Sequence, residues 1–245
     1  FKNLISLIQK KGHIVKILYT NKEMLRDLLK SSTFYYEEVS GNYRGIKRVI
    51  RIFKEIWNTL IISKNFEPDI FIGRAQPNLA ISSIIRKKPF VSFSDTDDAF
   101  ISRNFTIPLS DKVVTPHSYT KKLKSDHLKF NGYYELCYLH PNYFSKRKYV
   151  NSKKKSIMLR FVSWDASHDI GKNGLSLIEK LLLVKYLSKR YKIYLSSETE
   201  LPSKIYDFCS RFDPLSAHEK LASCDFYIGE GATMASEAAC LGIPS

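Results

Sequence analysis

The segment with the most chemistry per residue is Ser223–Ser245, SCDFYIGEGATMASEAACLGIPS. An apolar strand, Phe226–Ile228, runs into a turn holding Gly229 and Gly231 and then into a helix. Glycines let a ligand approach the backbone, and the unpaired amides at a helix start favour an anion. Thr233 adds a hydroxyl, and Glu237 follows one helical turn later on the same side. A carboxylate there accepts both hydroxyl protons of a ribose. The pattern therefore predicts an anion site at Gly231 and Thr233, with Glu237 as the acceptor for ribose hydroxyls. A tight strand-to-helix turn without a ligand is the competing reading of the glycines alone.

Three further groups sit where strands should end. In the loop Ser163–Gly171, Ser163, Ser167 and His168 offer donors to a phosphate, with His168 the candidate against a leaving diphosphate; the competing roles for His168 are capping the next helix or packing on Trp164. Asp95, Asp97 and Asp98 follow the strand ending at Phe93. Asp95, nearest the strand end, is the candidate general base toward an acceptor hydroxyl; such a loop also serves as a solvated turn or helix cap. Arg74 and Asp97 are candidates for holding the acceptor, and a surface ion pair is the other reading of Arg74.

The elements that must position these residues alternate throughout. Strands are expected at His13–Tyr19, Phe34–Glu38, Ile70–Ile72, Phe90–Phe93 and Val113–Thr115, with helices ending near Gly12 and at Lys22–Lys30, Ile46–Ile62 and Asn78–Arg86. The stretch 141–155, with Pro141, Asn142, Asn151 and Lys153–Lys155, breaks the rhythm and reads as a linker. Alternation then restarts, with strands Ile157–Val162, Tyr191–Leu195 and Asp225–Ile228. Helices are expected at Gly174–Arg190, Ser203–Ser210, Leu215–Ala222 and Thr233–Leu241. This predicts an α/β protein of two Rossmann-like domains, 1–140 and 156–245, facing across a cleft where ligands bind at the strands' carboxyl ends. Both ends read as truncated: Phe1 opens inside a helical pattern, and a strand is expected after Gly242-Ile243-Pro244.

The string around Gly231 resembles the C-terminal domain of GT-B glycosyltransferases and of the non-hydrolysing UDP-N-acetylglucosamine 2-epimerases. The matching positions are Gly231, Ala232, Thr233, Glu237 and Gly242-Ile243-Pro244. Phe93-Ser-Asp-Thr-Asp-Asp, Tyr134-Glu-Leu-Cys-Tyr-Leu-His-Pro141 and Arg160-Phe-Val-Ser-Trp-Asp-Ala-Ser-His-Asp-Ile-Gly171 look like one GT-B-like family of unknown function, found mainly in archaea and some bacteria. The resemblance implies a nucleotide diphosphate sugar held by the C-terminal domain and a sugar transferred to an acceptor on the N-terminal one, without metal or cofactor. It also places Phe212 near the nucleotide base, with core packing as the alternative. That family's opening strand with a His-containing loop is missing here. An epimerase is the nearest rival, although those enzymes carry an Arg- and Glu-bearing string where this chain has Ser-Trp-Asp-Ala-Ser-His. A non-catalytic binder of sugar nucleotides or nucleic acid is the third reading.

The bulk numbers set the partner's sign. The chain has 245 residues and a net charge of +15, which suits phosphate-rich partners. No interleaved Arg/aromatic string supports nucleic acid. No apolar run approaches the ~18 residues of a membrane span, no secretory pattern opens the chain, and four scattered cysteines at positions 137, 209, 224 and 240 suggest reduced thiols in the cytoplasm. In the helix Ile46–Ile62, Ile46, Val49, Ile50, Phe53, Ile56, Trp57, Leu60 and Ile61 share an arc of roughly 140°, with Lys47, Arg48, Arg51 and Lys54 opposite. Two readings stand. The helix packs its apolar arc on its own sheet, or it forms the basic, aromatic-rimmed patch by which some membrane-associated GT-B enzymes reach acceptors at an anionic inner membrane face.

Overall fold

The computed structural model describes residues 1–21, 25–30, 32–41, 47–95, 102–123, 126–145, 154–164 and 174–245. The chain divides into two compact units, Lys2–Tyr134 and Glu135–Ser245, with Phe1 joining the second. The division falls ahead of the stretch 141–155.

In the N-terminal unit the order is α1 (Lys2–Lys10), β1 (Lys16–Thr20), α2 (Leu25–Lys30), β2 (Tyr35–Ser40), α3 (Lys47–Phe66), β3 (Phe71–Arg74), α4 (Pro77–Arg86), β4 (Phe90–Phe93), β5 (Lys112–Pro116) and β6 (Asp126–Phe130). β1 and β2 pair in parallel, and β3-β4-β5-β6 form a separate parallel sheet in that order. Phe71, Ala80 and Phe90 make one buried cluster, and Ala75, Ile107 and Val113 another. α4 has Pro77 at its first position and ends on a left-handed Lys87, whose amide reaches back to Ile84 and Ser83.

β6 does not appear in the sequence reading. Its residues, DHLKF, lie at the sheet edge with only partial burial, so no apolar run announces it. Lys112 and Asp126 pair across its start at 3.1 Å.

α3 turns its faces the opposite way from a helix that packs its apolar arc on its own sheet. The polar side turns inward: the Glu55 carboxylate accepts from Thr20 Oγ1 at 2.7 Å and Ser40 Oγ at 2.9 Å, and Asn58 donates to the Val39 carbonyl at 2.8 Å. Thr59 accepts from Asn78, and Ser63 from Arg86. The apolar arc faces out, with Val49, Ile50, Phe53, Trp57 and Ile61 all exposed. The cause is the partner surface: β2 and α4 present polar groups to the helix, and buried polar groups must be answered. Ile46 lies outside the described residues.

The C-terminal unit runs α5 (Leu136–Leu139), β7 (Ser156–Phe161), α6 (Leu177–Ser188), β8 (Lys192–Ser197), α7 (Ser203–Tyr206), β9 (Cys209–Ser210), α8 (Ala217–Ala222), β10 (Phe226–Gly229) and α9 (Ala232–Cys240). Its sheet is parallel, ordered β10-β7-β8-β9. The helix expected over Ser203–Ser210 stops at Tyr206, because Cys209 and Ser210 pair with Ile193 and Tyr194 of β8. α6 starts at Leu177 because Ser176 caps it, in a box with Glu179. Both faces of β7 are buried: Ile157, Leu159 and Phe161 join Val184 and Ile193, while Met158 joins Leu221, Tyr227 and Ala238.

Leu221 is fully buried at the centre of the Met158 cluster. Leu221→Ala should lower the unfolding free energy by about 2–5 kcal/mol, read by urea denaturation. A loss below about 0.5 kcal/mol would place that residue outside the core.

Candidate functional site

Parallel pairing of β10 with β7, in the register Gly229–Arg160, brings their carboxyl ends side by side. The two turns that leave these strands are fastened by one residue. Glu230 Oε2 accepts from the Val162 amide at 3.0 Å, and Oε1 from the Leu175 amide at 2.7 Å. Lys180 Nζ stands 3.6 Å away, with both side chains only 9% exposed, and also lies 4.9 Å from the Phe161 ring centroid. Val162 and Leu175 flank the loop read as a phosphate loop, so Glu230 holds both of its ends.

The start of that loop is strained. Trp164 has φ of 56°, a conformation that bulky residues rarely adopt. Its indole Nε1 is buried without a hydrogen-bond partner among the described residues. A Cβ at Gly174 would collide with that nitrogen and with Glu230 Oε1, and one at Gly231 would sit 3.1 Å from Val162 Cγ1. Gly174 is therefore required by close approach, and a side chain at Gly231 would need Val162 to give by a few tenths of an ångström. Ser163 gives its amide and hydroxyl to Glu198 Oε2 at 3.2 and 3.4 Å, and Glu198 also holds Arg160. Ser167 and His168 lie outside the described residues.

Gly231 is the N-cap of α9 and supplies no side-chain cap. The helix opens with exposed Ala232 and Thr233, so its first amides are available to an anion. Glu237, one turn after Thr233, is only 7% exposed. Its Oε1 accepts from the Tyr138 hydroxyl at 2.7 Å and faces His218 Nε2 at 3.1 Å. A carboxylate only accepts, so Nε2 carries the proton. The Tyr138 and His218 rings pack 5.2 Å apart.

These contacts set the ionisation. The bond to Glu237 raises the His218 pKa above its ordinary value, with burial opposing. Burial disfavours the Glu237 carboxylate, but the bonds from His218 and Tyr138 win and hold its pKa below the usual carboxylate value. Burial and the neighbouring carboxylate push the Tyr138 hydroxyl well up.

Phe212 is half-buried on the Met158–Leu221 core and meets Tyr194 edge-on at 6.4 Å. In the N-terminal unit, Arg74 ends β3 and pairs with Asp95 just past β4, Nη2 to Oδ1, at 2.5 Å. The candidate base and the candidate acceptor-binding cation thus hold each other. Asp97 and Asp98 lie outside the described residues. The sequence pattern marked neither Tyr138, Glu230 nor Arg160 as a site residue and gave His218 no role; Tyr138, Glu230 and Arg160 each stand inside one of the strings quoted above, which was the available signal.

A family model described as "Protein of unknown function (DUF354)" matches residues 1–245. The chain belongs to the DUF354 family. No curated protein matches it. Solved structures share the fold of this DUF354 chain at low identity. The UDP-GlcNAc 2-epimerase from Methanocaldococcus jannaschii has a TM-score of 0.65 at 10% identity, covering 99% of this chain and 78% of that one. The UDP-GlcNAc 2-epimerase from Neisseria meningitidis, solved bound to UDP-GlcNAc, has a TM-score of 0.63 at 13% identity, covering 99% and 76%. Acinetobacter baumannii MurG has a TM-score of 0.58 at 15% identity, covering 98% and 71%. The DUF354 chain therefore has the GT-B fold of glycosyltransferases and UDP-GlcNAc 2-epimerases.

The His218–Glu237 pair gives a pH signature. A raised histidine pKa adds stability that is complete below the unfolded value, near 6.5, and lost as pH rises through the folded one. The melting temperature of His218→Ala should trail wild type most at about pH 5.5, where Glu237 remains ionised, and the gap should narrow by about pH 9. A gap independent of pH would show that the ring contributes packing alone.

Proposed function

We propose that this protein binds a nucleotide diphosphate sugar through its C-terminal unit and transfers the sugar to an acceptor held by its N-terminal unit. The observation that supports it best is the start of α9: uncapped first-turn amides at Ala232 and Thr233, beside the strained Trp164 turn, with Glu237 one turn further on. Backbone strain of this kind gathers at ligand sites. The helix start takes the diphosphate without metal, because oriented amides offset its charge. Glu237 takes ribose hydroxyls, and His168 is the residue assigned to the leaving diphosphate, while Ser163 is engaged with Glu198.

In transfer, the acceptor oxygen attacks the anomeric carbon while its proton passes to Asp95. The bond from that carbon to the diphosphate oxygen breaks, and the nucleoside diphosphate leaves with its negative charge against the α9 amides. Arg74 orients Asp95, and Asp97 completes the acceptor side.

Calorimetric titration with UDP-, GDP-, CMP- and dTDP-sugars tests the binding half. Glu237→Gln keeps the size and loses a charge-assisted acceptor, about 1.5–3 kcal/mol, so affinity should fall roughly ten- to a hundredfold. Thr233→Val should act in the same direction by less. Unchanged affinity in Glu237→Gln would remove the ligand from this site. A C2 epimer formed without acceptor would replace transfer by epimerisation.

We further propose that α3 brings the N-terminal unit to an acceptor at an anionic membrane surface. No helix among the described residues is long and apolar enough to cross a membrane, so the helix would lie in the interface. The inverted faces support this: Phe53 and Trp57 are 69% and 66% exposed. Glu55, the only carboxylate in α3, is turned inward. Most of the +15 charge lies in residues 2–134. Aromatic and aliphatic side chains flanked by lysines are what an anionic interface takes. α6 also exposes Ile178, Leu182 and Tyr186, but its unit carries little of the charge.

Sedimentation with vesicles checks the idea. Wild type should sediment with phosphatidylglycerol-containing vesicles and far less with phosphatidylcholine alone, and Phe53→Ser with Trp57→Ser should weaken binding about tenfold or more while the melting temperature stays unchanged. Equal binding by the double variant would leave charge alone as the cause. A dimer that the double variant dissolves, without vesicle binding, would assign the stripe to a second copy.

A further inference from the structure

We infer that Tyr138 and His218 are positioning residues that fix Glu237 as a reader of the ribose, so that the site selects ribonucleotides over 2′-deoxyribonucleotides. The inference rests on the reading of Glu237 as the ribose acceptor and asks what makes a single glutamate selective.

Three elements of the C-terminal unit converge on that carboxylate. Tyr138 comes from α5, His218 from α8 and Glu237 from α9, with 99 residues separating the first from the last. Both donors use Oε1, at 2.7 and 3.1 Å. A glutamate has three rotatable bonds, and one held at a single oxygen by two groups has lost most of that freedom. Among the described residues no donor is bonded to the second oxygen, Oε2, which keeps its acceptor capacity for a ribose hydroxyl.

The chemistry of selection follows from what an ionised carboxylate can do. It accepts and never donates, so it rewards a ligand hydroxyl and gives nothing to a hydrogen in its place. The contrast is largest where the carboxylate is buried, since water cannot replace the missing hydroxyl at no cost. Glu237 is 7% exposed. Its ionised state is secured by the same two donors. Arg160 adds a more distant positive charge, while Glu135, Glu219 and Cys240 are the other titratable groups that Tyr138 and His218 sense.

Tyr138 and His218 need not touch the ligand. A loosened Glu237 still binds nucleotide through the α9 amides, but its carboxylate no longer waits where the ribose arrives. Loss of either donor should therefore spare the phosphates' share of affinity and remove the hydroxyls' share.

The test uses the full chain, with UDP, GDP, CDP and ADP titrated by calorimetry, each against its 2′-deoxy counterpart. Wild type should prefer the best ribonucleotide by about tenfold or more. Tyr138→Phe and His218→Ala should bring that preference to within about threefold of unity, mainly by weakening the ribonucleotide, while the deoxynucleotide, which offers Glu237 only its 3′-hydroxyl, loses less. His218→Gln, which keeps a donor, should restore the preference. Variants that lose affinity equally for both sugars would show that the two residues only pack, and the inference falls. Wild type that binds both sugars equally also overturns it while leaving nucleotide binding in place. Failure of every nucleoside diphosphate to bind overturns the sugar-nucleotide reading and this inference with it.

Discussion

Glu230 sits with nine-tenths of its side chain out of water. A carboxylate taken that far from solvent costs several kcal/mol unless donors and a counter-charge answer it. The answer here is two backbone amides, from Val162 and Leu175, and the buried ammonium of Lys180. The requirement runs both ways. Because Glu230 must be satisfied, the chain leaving β7 and the chain entering α6 are brought to the same point, and the turn after β10 is held against them. Gly174 follows from this crowding, since a side chain there would strike the Trp164 indole and Glu230, and one at Gly231 would press on Val162. The strained Trp164 is affordable for the same reason: the surrounding bonds over-determine it.

The N-terminal unit obeys the same rule with opposite visible effect. Its interior along α3 is polar, with Glu55, Asn58, Thr59 and Ser63 each bonded to a group on a neighbouring element. A helix turns inward the face whose partners are waiting, and these partners are hydroxyls and carbonyls. The apolar arc is left outside by default. Periodicity alone assigns that arc to the core, because it counts residues on one helix and is blind to the surface that the helix meets.

That blindness marks how far the sequence could be read. The strand–turn–helix around Gly231 was legible almost to the residue, as Phe226–Gly229 and Ala232–Cys240. A short apolar run, a glycine turn and an alanine-rich stretch all agree there. The strand after the connection was equally plain because β7 is buried on both faces. β6 was not, since an edge strand needs no apolar signature. The pairing of Arg74 with Asp95 depends on adjacent strands ending together, which only register reveals. Ser163 was read as a phosphate donor, and its hydroxyl is turned to Glu198, 35 residues away. Tyr138 reaches Glu237 across an even longer separation, and no local pattern encodes such a contact.

Two glutamates seven positions apart in the same motif thus carry different loads, and their hydrogen bonds tell them apart. Glu230 uses both oxygens on the protein: Oε1 on Leu175, Oε2 on Val162 and Lys180. A carboxylate satisfied at both ends is part of the scaffold, and its removal would orphan a buried ammonium. Glu237 places both of its donors on one oxygen. An ionised carboxylate has acceptor positions on each oxygen, and among the described residues Glu237 has a donor on Oε1 alone, where Glu230 has a donor on each oxygen. Glu237 stands on a helix whose first amides are themselves uncapped. One glutamate fixes the turns through both of its oxygens, and the other, among the described residues, leaves one oxygen without a donor.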